Sequence, residues 1–138
     1  MRTVFRGRLL AALSTVAVVA SVIWGLFLIG SPEQQREKKF DEKRISDLQG
    51  IAGSIDLYYT RHNSLPDNLE DLEKEPGISI SQADPETGTG YIYRRISSVT
   101  YKLCARFSAE SDDAHQSLWA HSKGPYCFQR NAKVIDNR

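Results

Sequence analysis

The chain has 138 residues, a formal net charge of +1, 25% charged and 41% hydrophobic residues. With the first 30 residues set aside, about 100 remain, enough for one small core and not two. Lys/Arg and Asp/Glu nearly balance, 18 against 17, so no global field calls for nucleic acid, which is not expected as a partner.

Leu9 to Gly30, LLAALSTVAVVASVIWGLFLIG, carries no charge and follows Arg2, Arg6 and Arg8. As a helix it would cover roughly 33 Å, the depth of a bilayer's hydrocarbon core. The expectation is therefore a single-pass transmembrane helix over 9–30. A cleaved signal peptide is the competing reading, but it calls for a shorter apolar core and a small-residue cleavage site, which Leu28-Ile29-Gly30-Ser31-Pro32 lacks. The three arginines abut the span and favour residues 1–8 as a cytoplasmic tail. The expected setting is the cytoplasmic (inner) membrane of a bacterium, with the lipid bilayer as first partner and the C-terminal domain on the extracytoplasmic, periplasmic side.

Pro32 removes a backbone donor and predicts a break. Residues 31–44 are highly charged; a disordered linker and a solvated helical stalk both fit, and the helix formers Glu, Lys, Gln and Arg favour the stalk. The folded domain is expected over 45–130, with 131–138 a frayed tail. It opens on an amphipathic helix within 41–66. Ile45, Leu48, Ala52, Ile55 and Tyr59 recur at steps of three and four, and Ile51 and Tyr58 widen the stripe into a face that would dock on a sheet. Gly50 and Gly53 cost about 1 kcal/mol each relative to alanine, and read as points where a neighbouring element comes close. The helix should end at His62-Asn63, with His62 on the last carbonyls and Asn63 in the left-handed position. Asp67 as N-cap with Glu70 three residues on predicts a short helix up to Lys74. Ile78 and Ile80 read as a short extended piece.

The turn formers of 83–90 predict a loop. Residues 91–107 read as a hairpin through Ser97-Ser98. In its second strand Val99, Tyr101, Leu103, Ala105 and Phe107 take one face, and Thr100, Lys102, Cys104 and Arg106 the other. Leu118 to Ala120 and Tyr126 to Gln129 are further candidate strands. The fold class is α+β: the transmembrane helix continues into a long amphipathic helix packed on a small antiparallel sheet.

Cys104 and Cys127 could form a disulfide, bind metal as a pair or supply a catalytic thiol. In an exported domain a disulfide across the outer side of the sheet is the most economical of the three. His115, His121 and Cys127 stand six apart and fit no structural zinc pattern. Glu110, Asp112 and Asp113 depart from the calcium-loop spacing and read as a solvated loop. Arg94 and Arg95, beside Tyr91 and Tyr93, alternate in direction along a strand and do not form one stacking platform. With no nucleotide loop, nucleophile elbow or zinc-protease helix, no enzyme activity, catalytic residue, metal, cofactor or small-molecule substrate is expected. A second reading is an anchored ligand-binding module with a pocket lined by Trp119, His121 and Tyr126.

The order of parts resembles the type IV pilin and type II secretion pseudopilin superfamily. The carriers are Ser46-Asp47, the helix exit from Tyr58 to Pro66, the short helix with Leu69 and Leu72, and the turn from Asp84 to Tyr93 before the hairpin, together covering roughly 44–107. The resemblance implies a pilin-like domain with other membrane or pilin-like proteins as partners and a structural or interaction role. One feature departs from the superfamily. Gly7 is followed by Arg8-Leu9-Leu10-Ala11-Ala12, without the glutamate that follows the prepilin cleavage site. A standard filament-forming subunit is therefore not expected; a minor pilin or pseudopilin is the alternative.

Overall fold

A computed structural model of the chain describes residues 2–29, 31–111 and 118–135. The chain separates into two compact units, 1–36 and 37–138.

The first unit contains helix α1, Arg2–Ile29. The expected membrane span is corrected here: among the described residues, no helix is long and apolar enough to cross a membrane. Arg2, Arg6 and Arg8 lie inside α1 rather than ahead of it. Their charges interrupt its apolar character over the first two turns. Hydroxyls dilute it further, and Ser21 turns its own back onto the carbonyls of Ala17 and Val18 at 3.0 and 2.9 Å. Leu13, Val16, Val22 and Trp24 are exposed along it.

Helix α2 runs Pro32–His62. The expected break is a fresh helix start. The backbone N–H of Gln34 donates to Ser31 Oγ and that of Ser31 to Gln34 Oε1, both at 3.3 Å. This is a capping box with proline at the first helical position, where its missing N–H costs nothing. Charged helix formers carry α2 through 33–44 until its apolar stripe meets the core. There Leu48, Ile51 and Ile55 are fully buried and Ala52 nearly so, while Ile45, Tyr58 and Tyr59 are partly buried against them. Burying each of the three large aliphatic side chains contributes roughly 1.5–3 kcal/mol. The helix closes at Asn63, at φ 51°, whose N–H donates to Tyr59 O at 2.8 Å. His62 does not cap the carbonyls; its Nε2 lies 2.7 Å from Glu75 Oε1 and its ring tilts over Tyr58.

Gly50 and Gly53 lie opposite the buried stripe, and nothing stands within 4 Å of where a Cβ would be. Among the described residues no element approaches them, so the expected close contact is corrected. Gly50→Ala and Gly53→Ala should each raise stability by about 0.5–1 kcal/mol, measurable as additive shifts in the thermal midpoint.

Helix α3, Leu69–Glu73, buries Leu69 and Leu72. Its cap is Asn68 rather than Asp67, the Asp71 N–H donating to Asn68 Oδ1 at 2.9 Å. Strands β1 (Ile92–Arg95), β2 (Thr100–Phe107) and β3 (Gly124–Asn131) form an antiparallel sheet in the order β1-β2-β3. The inner face of β2 brings Tyr101, Leu103 and Phe107 onto α2; Phe128 joins them from β3, and Phe107 and Phe128 meet edge to face with centroids 6.0 Å apart. Val99, on the same side but at the strand's entry, stays 37% exposed.

Two extended pieces read from the sequence are absent from the described sheet. Leu118 and Trp119 form a turn, and 78–82 has no ladder partner apart from the isolated bridge Ala83–Gly90 that follows it. The start of the expected tail is not frayed. Asn131 pairs with Thr100, Ala132 N–H donates to Val99 O at 2.8 Å, and the N–H groups of Lys133 and Ile135 donate to Asp56 and Thr60 on α2, both at 2.9 Å. Asp112, Asp113 and His115, weighed above as ligand residues, lie outside the described residues.

Candidate functional site

Arg44, on the core side of α2 and 2% exposed, is the centre of the domain's polar structure. A guanidinium has five N–H donors in a fixed planar fork, and all five are used. Nε and Nη2 grip the two carboxylate oxygens of Asp84, the latter at 3.1 Å; Nη2 also donates to Glu86 Oε2 at 2.6 Å. Nη1 donates to Asp41 Oδ1 at 2.7 Å and Ser108 Oγ at 3.0 Å.

Both aspartates have backbone partners as well. Asp41 accepts from the N–H groups of Ser108 and Ala109, holding the exit of β2 against the helix. Asp84 accepts from those of Glu86 and Thr87 at 2.9 and 3.0 Å, an Asx turn closed by Gly88 at φ 69°. One cation thus fastens helix, turn and strand end together. Next to it Asp47 accepts from Lys43 at 2.7 Å and from the Tyr91 hydroxyl at 3.0 Å. Among the described residues, no buried side-chain polar atom lacks a hydrogen-bond partner.

Burial works against ionisation of Asp84, but the hydrogen bonds from Arg44 and from the Thr87 and Glu86 N–H groups outweigh it and hold its carboxyl at about 2. Burial likewise opposes the charge on Arg44, yet its contacts with Asp84, Asp41 and Glu86 raise it above the ordinary guanidinium value. Burial, then the bond to Asp47, pushes the Tyr91 hydroxyl up. A carboxyl near 2 against an ordinary 3.8 contributes about 2 kcal/mol of stability. That contribution is present above the unfolded value and is lost as pH falls through the folded one. Asp84→Asn should therefore be the less stable protein at pH 7, with the gap to the parent closing by about pH 2 in urea titrations.

On the outer side of the sheet an open groove of about 820 Å³ runs from this network over β2 to the start of β3. Its floor holds the disulfide between Cys104 and Cys127, which face each other across β2 and β3 with Cα atoms 4.0 Å apart. The outer-face position of the bridge follows from the strand alternation; the direct cross-strand pairing is seen only with the register. Arg94, Lys102, Arg106 and Lys123 line the same groove. Arg95 points away, its Nη1 donating to Asp67 Oδ1 at 2.9 Å.

The three residues of the suggested ligand pocket pack around Phe107 and Phe128 but do not line one hollow. Trp119 and His121 border a smaller hollow of about 340 Å³, while Tyr126 does not line it. Trp119 is half-buried, its ring 4.9 Å from that of Phe128 and under the Arg130 guanidinium at 4.7 Å; His121 stacks on Phe107 at 3.6 Å. No cluster of three His, Cys, Asp or Glu side chains suited to a metal ion occurs among the described residues.

Sequence reasoning missed Arg44, placing it at the end of a solvated stalk. The available signal was an arginine three residues after Asp41, one step before the apolar stripe, together with a downstream Asp-Pro-Glu-Thr-Gly turn. Comparison with protein-family models, with curated proteins and with solved structures finds no significant match.

Proposed function

We propose that the chain is a pilin- or pseudopilin-like extracytoplasmic protein with a structural or protein-interaction role, and not a standard filament subunit. The observation that carries this reading is the tying of a long helix, α2, to a three-stranded antiparallel sheet by Arg44 through the turn that starts at Asp84. The buried ionisable side chains of this cluster spend their hydrogen-bonding capacity on the fold, which leaves surfaces rather than a reaction centre as what the domain offers. The disulfide supports an oxidising compartment. The residues after Gly7, without the glutamate of prepilins, support a role outside the standard filament. A minor pilin or pseudopilin subunit is the alternative within the same class.

The test is intact mass and N-terminal analysis of protein isolated from its native cells, alkylated with and without reductant. The reading expects an unmethylated N-terminus and a bridged Cys104–Cys127. Loss of seven residues with N-methylation would overturn the exclusion of filament assembly. Two thiols alkylated without reductant would overturn the extracytoplasmic setting.

A further inference from the structure

We infer that the outer face of the sheet is a docking groove for an extended acidic segment of a partner protein, with the pattern acidic–any–apolar–any–acidic. This deepens the interaction role proposed above and rests on it, but not on the pilin-like resemblance. The β-ladder register sorts the outward residues into rows. Arg94 stands directly opposite Lys102; Ile92, Cys104 and Cys127 form the next row; Arg106 faces Pro125 in the one after.

Like charges directly opposite on an antiparallel pair destabilise it. Among the described residues, none of Arg94, Lys102 and Arg106 has an ion-pair partner, although other surface arginines and lysines here do have one, as with Arg61–Glu75, Lys74–Asp71 and Arg95–Asp67. At the end of the groove nearest the network Glu86 is already taken by Arg44. Asp84 is held by Arg44 as well, and Glu37, the third acid lining the groove, forms no ion pair with these cations among the described residues, so the face keeps a repulsive cation pair with Ile92, 56% exposed, beside it.

The spacing selects the ligand. Successive outward rows lie two residues apart, about 6.7 Å, so the cation rows are about 13 Å apart with the apolar row between them. A phosphate or a single headgroup cannot reach both rows. An extended peptide reaches both, because its own alternate side chains repeat at the same interval. Nucleic acid and sugar rings favour exposed aromatic platforms, and the aromatic residues that line this groove, Tyr91 and Phe107, are only 8% and 2% exposed.

The test uses the full chain and a fluorescein-labelled, end-capped heptapeptide with aspartate at its second and sixth positions, valine at the fourth and serine or glycine elsewhere. Fluorescence anisotropy at low salt should show saturable binding that weakens as ionic strength rises. Arg94→Ser/Lys102→Ser should weaken it by at least about tenfold through loss of charge-assisted contacts, while the thermal midpoint stays level or rises because the repulsive pair is gone. A permuted peptide with adjacent aspartates should bind at least about fivefold less well, since it reaches one cation row only. Absence of binding, equal binding of the permuted peptide, unchanged affinity in the variant, or tighter binding of a single-stranded oligonucleotide or of phosphatidylglycerol vesicles would each overturn the proposal. Those outcomes leave the extracytoplasmic, non-filament reading standing, because the state of the N-terminus and of the cysteines tests it separately.

Discussion

Arg44→Met should lower the stability of the domain by about 3–5 kcal/mol at pH 7, the usual cost of removing one partner from a buried ion network. Methionine approximates the volume of the arginine stem, so the loss is mainly electrostatic. Asp41 and Asp84, 6% and 7% exposed, would keep their negative charges with Glu86 close by and no cation between them. For a unit of this size each kcal/mol moves the thermal midpoint by about 4–8 °C, so a fall of more than about 12 °C is expected. Arg44→Lys should recover little of it, since a point charge on a flexible stem cannot hold three carboxylates in the directions a guanidinium fork serves. The pH dependence separates this account from a simple packing defect. In the parent, acidification removes the stability that Asp84 contributes. In Arg44→Met the stranded carboxylates are relieved by protonation, so the deficit should shrink between pH 5 and pH 3. Urea titrations of parent and variant across that range decide it; a deficit below about 1 kcal/mol, or one independent of pH, would refute the network's role.

Much of the fold could be read ahead because burial on one side imposes a period. Tyr101, Leu103 and Phe107 alternate because their strand has one dry face; Leu48, Ile51 and Ile55 recur at helical steps because theirs has one dry stripe. The same wheel places Gly50 and Gly53 on the bare side, which should have argued against a close neighbour there. Propensity alone could not choose between Asp67 and Asn68, since either side chain can cap a helix and the tertiary position of Leu69 decides. The Arg44 network was not legible, because its partners Asp84 and Ser108 lie 40 and 64 residues away and a chain folded back twice is needed to bring them together. Nor was the cation face. Arg94 and Lys102 become neighbours only in the register of the hairpin. In α1 the uncharged run is continuous with a helical start that carries Arg2, Arg6 and Arg8, and hydropathy along the chain does not say where a helix begins.

Removing the disulfide should be the other large effect. The double variant Cys104→Ala/Cys127→Ala opens a loop whose ends are 23 residues apart. Restricting such a loop in the unfolded chain is worth about 3 kcal/mol in the chain-entropy account, a large share of what a domain of about 100 residues possesses. The folded state loses much less. Cys104 and Cys127 lie on the outer face, away from Tyr101, Leu103 and Phe128, and the ladder from Thr100–Asn131 to Phe107–Gly124 does not depend on them. Circular dichroism of the double variant should therefore match the parent under native conditions while its urea midpoint falls. The reduced parent should behave as the variant does, because both release the same constraint. Replacing the pair by two valines tests the mechanism: it restores an apolar cross-strand contact on the surface, worth about 0.2–1 kcal/mol, and should leave most of the deficit in place. If the valine pair recovered the full 3 kcal/mol or so, the bridge would be acting through packing of the folded sheet rather than through the unfolded chain.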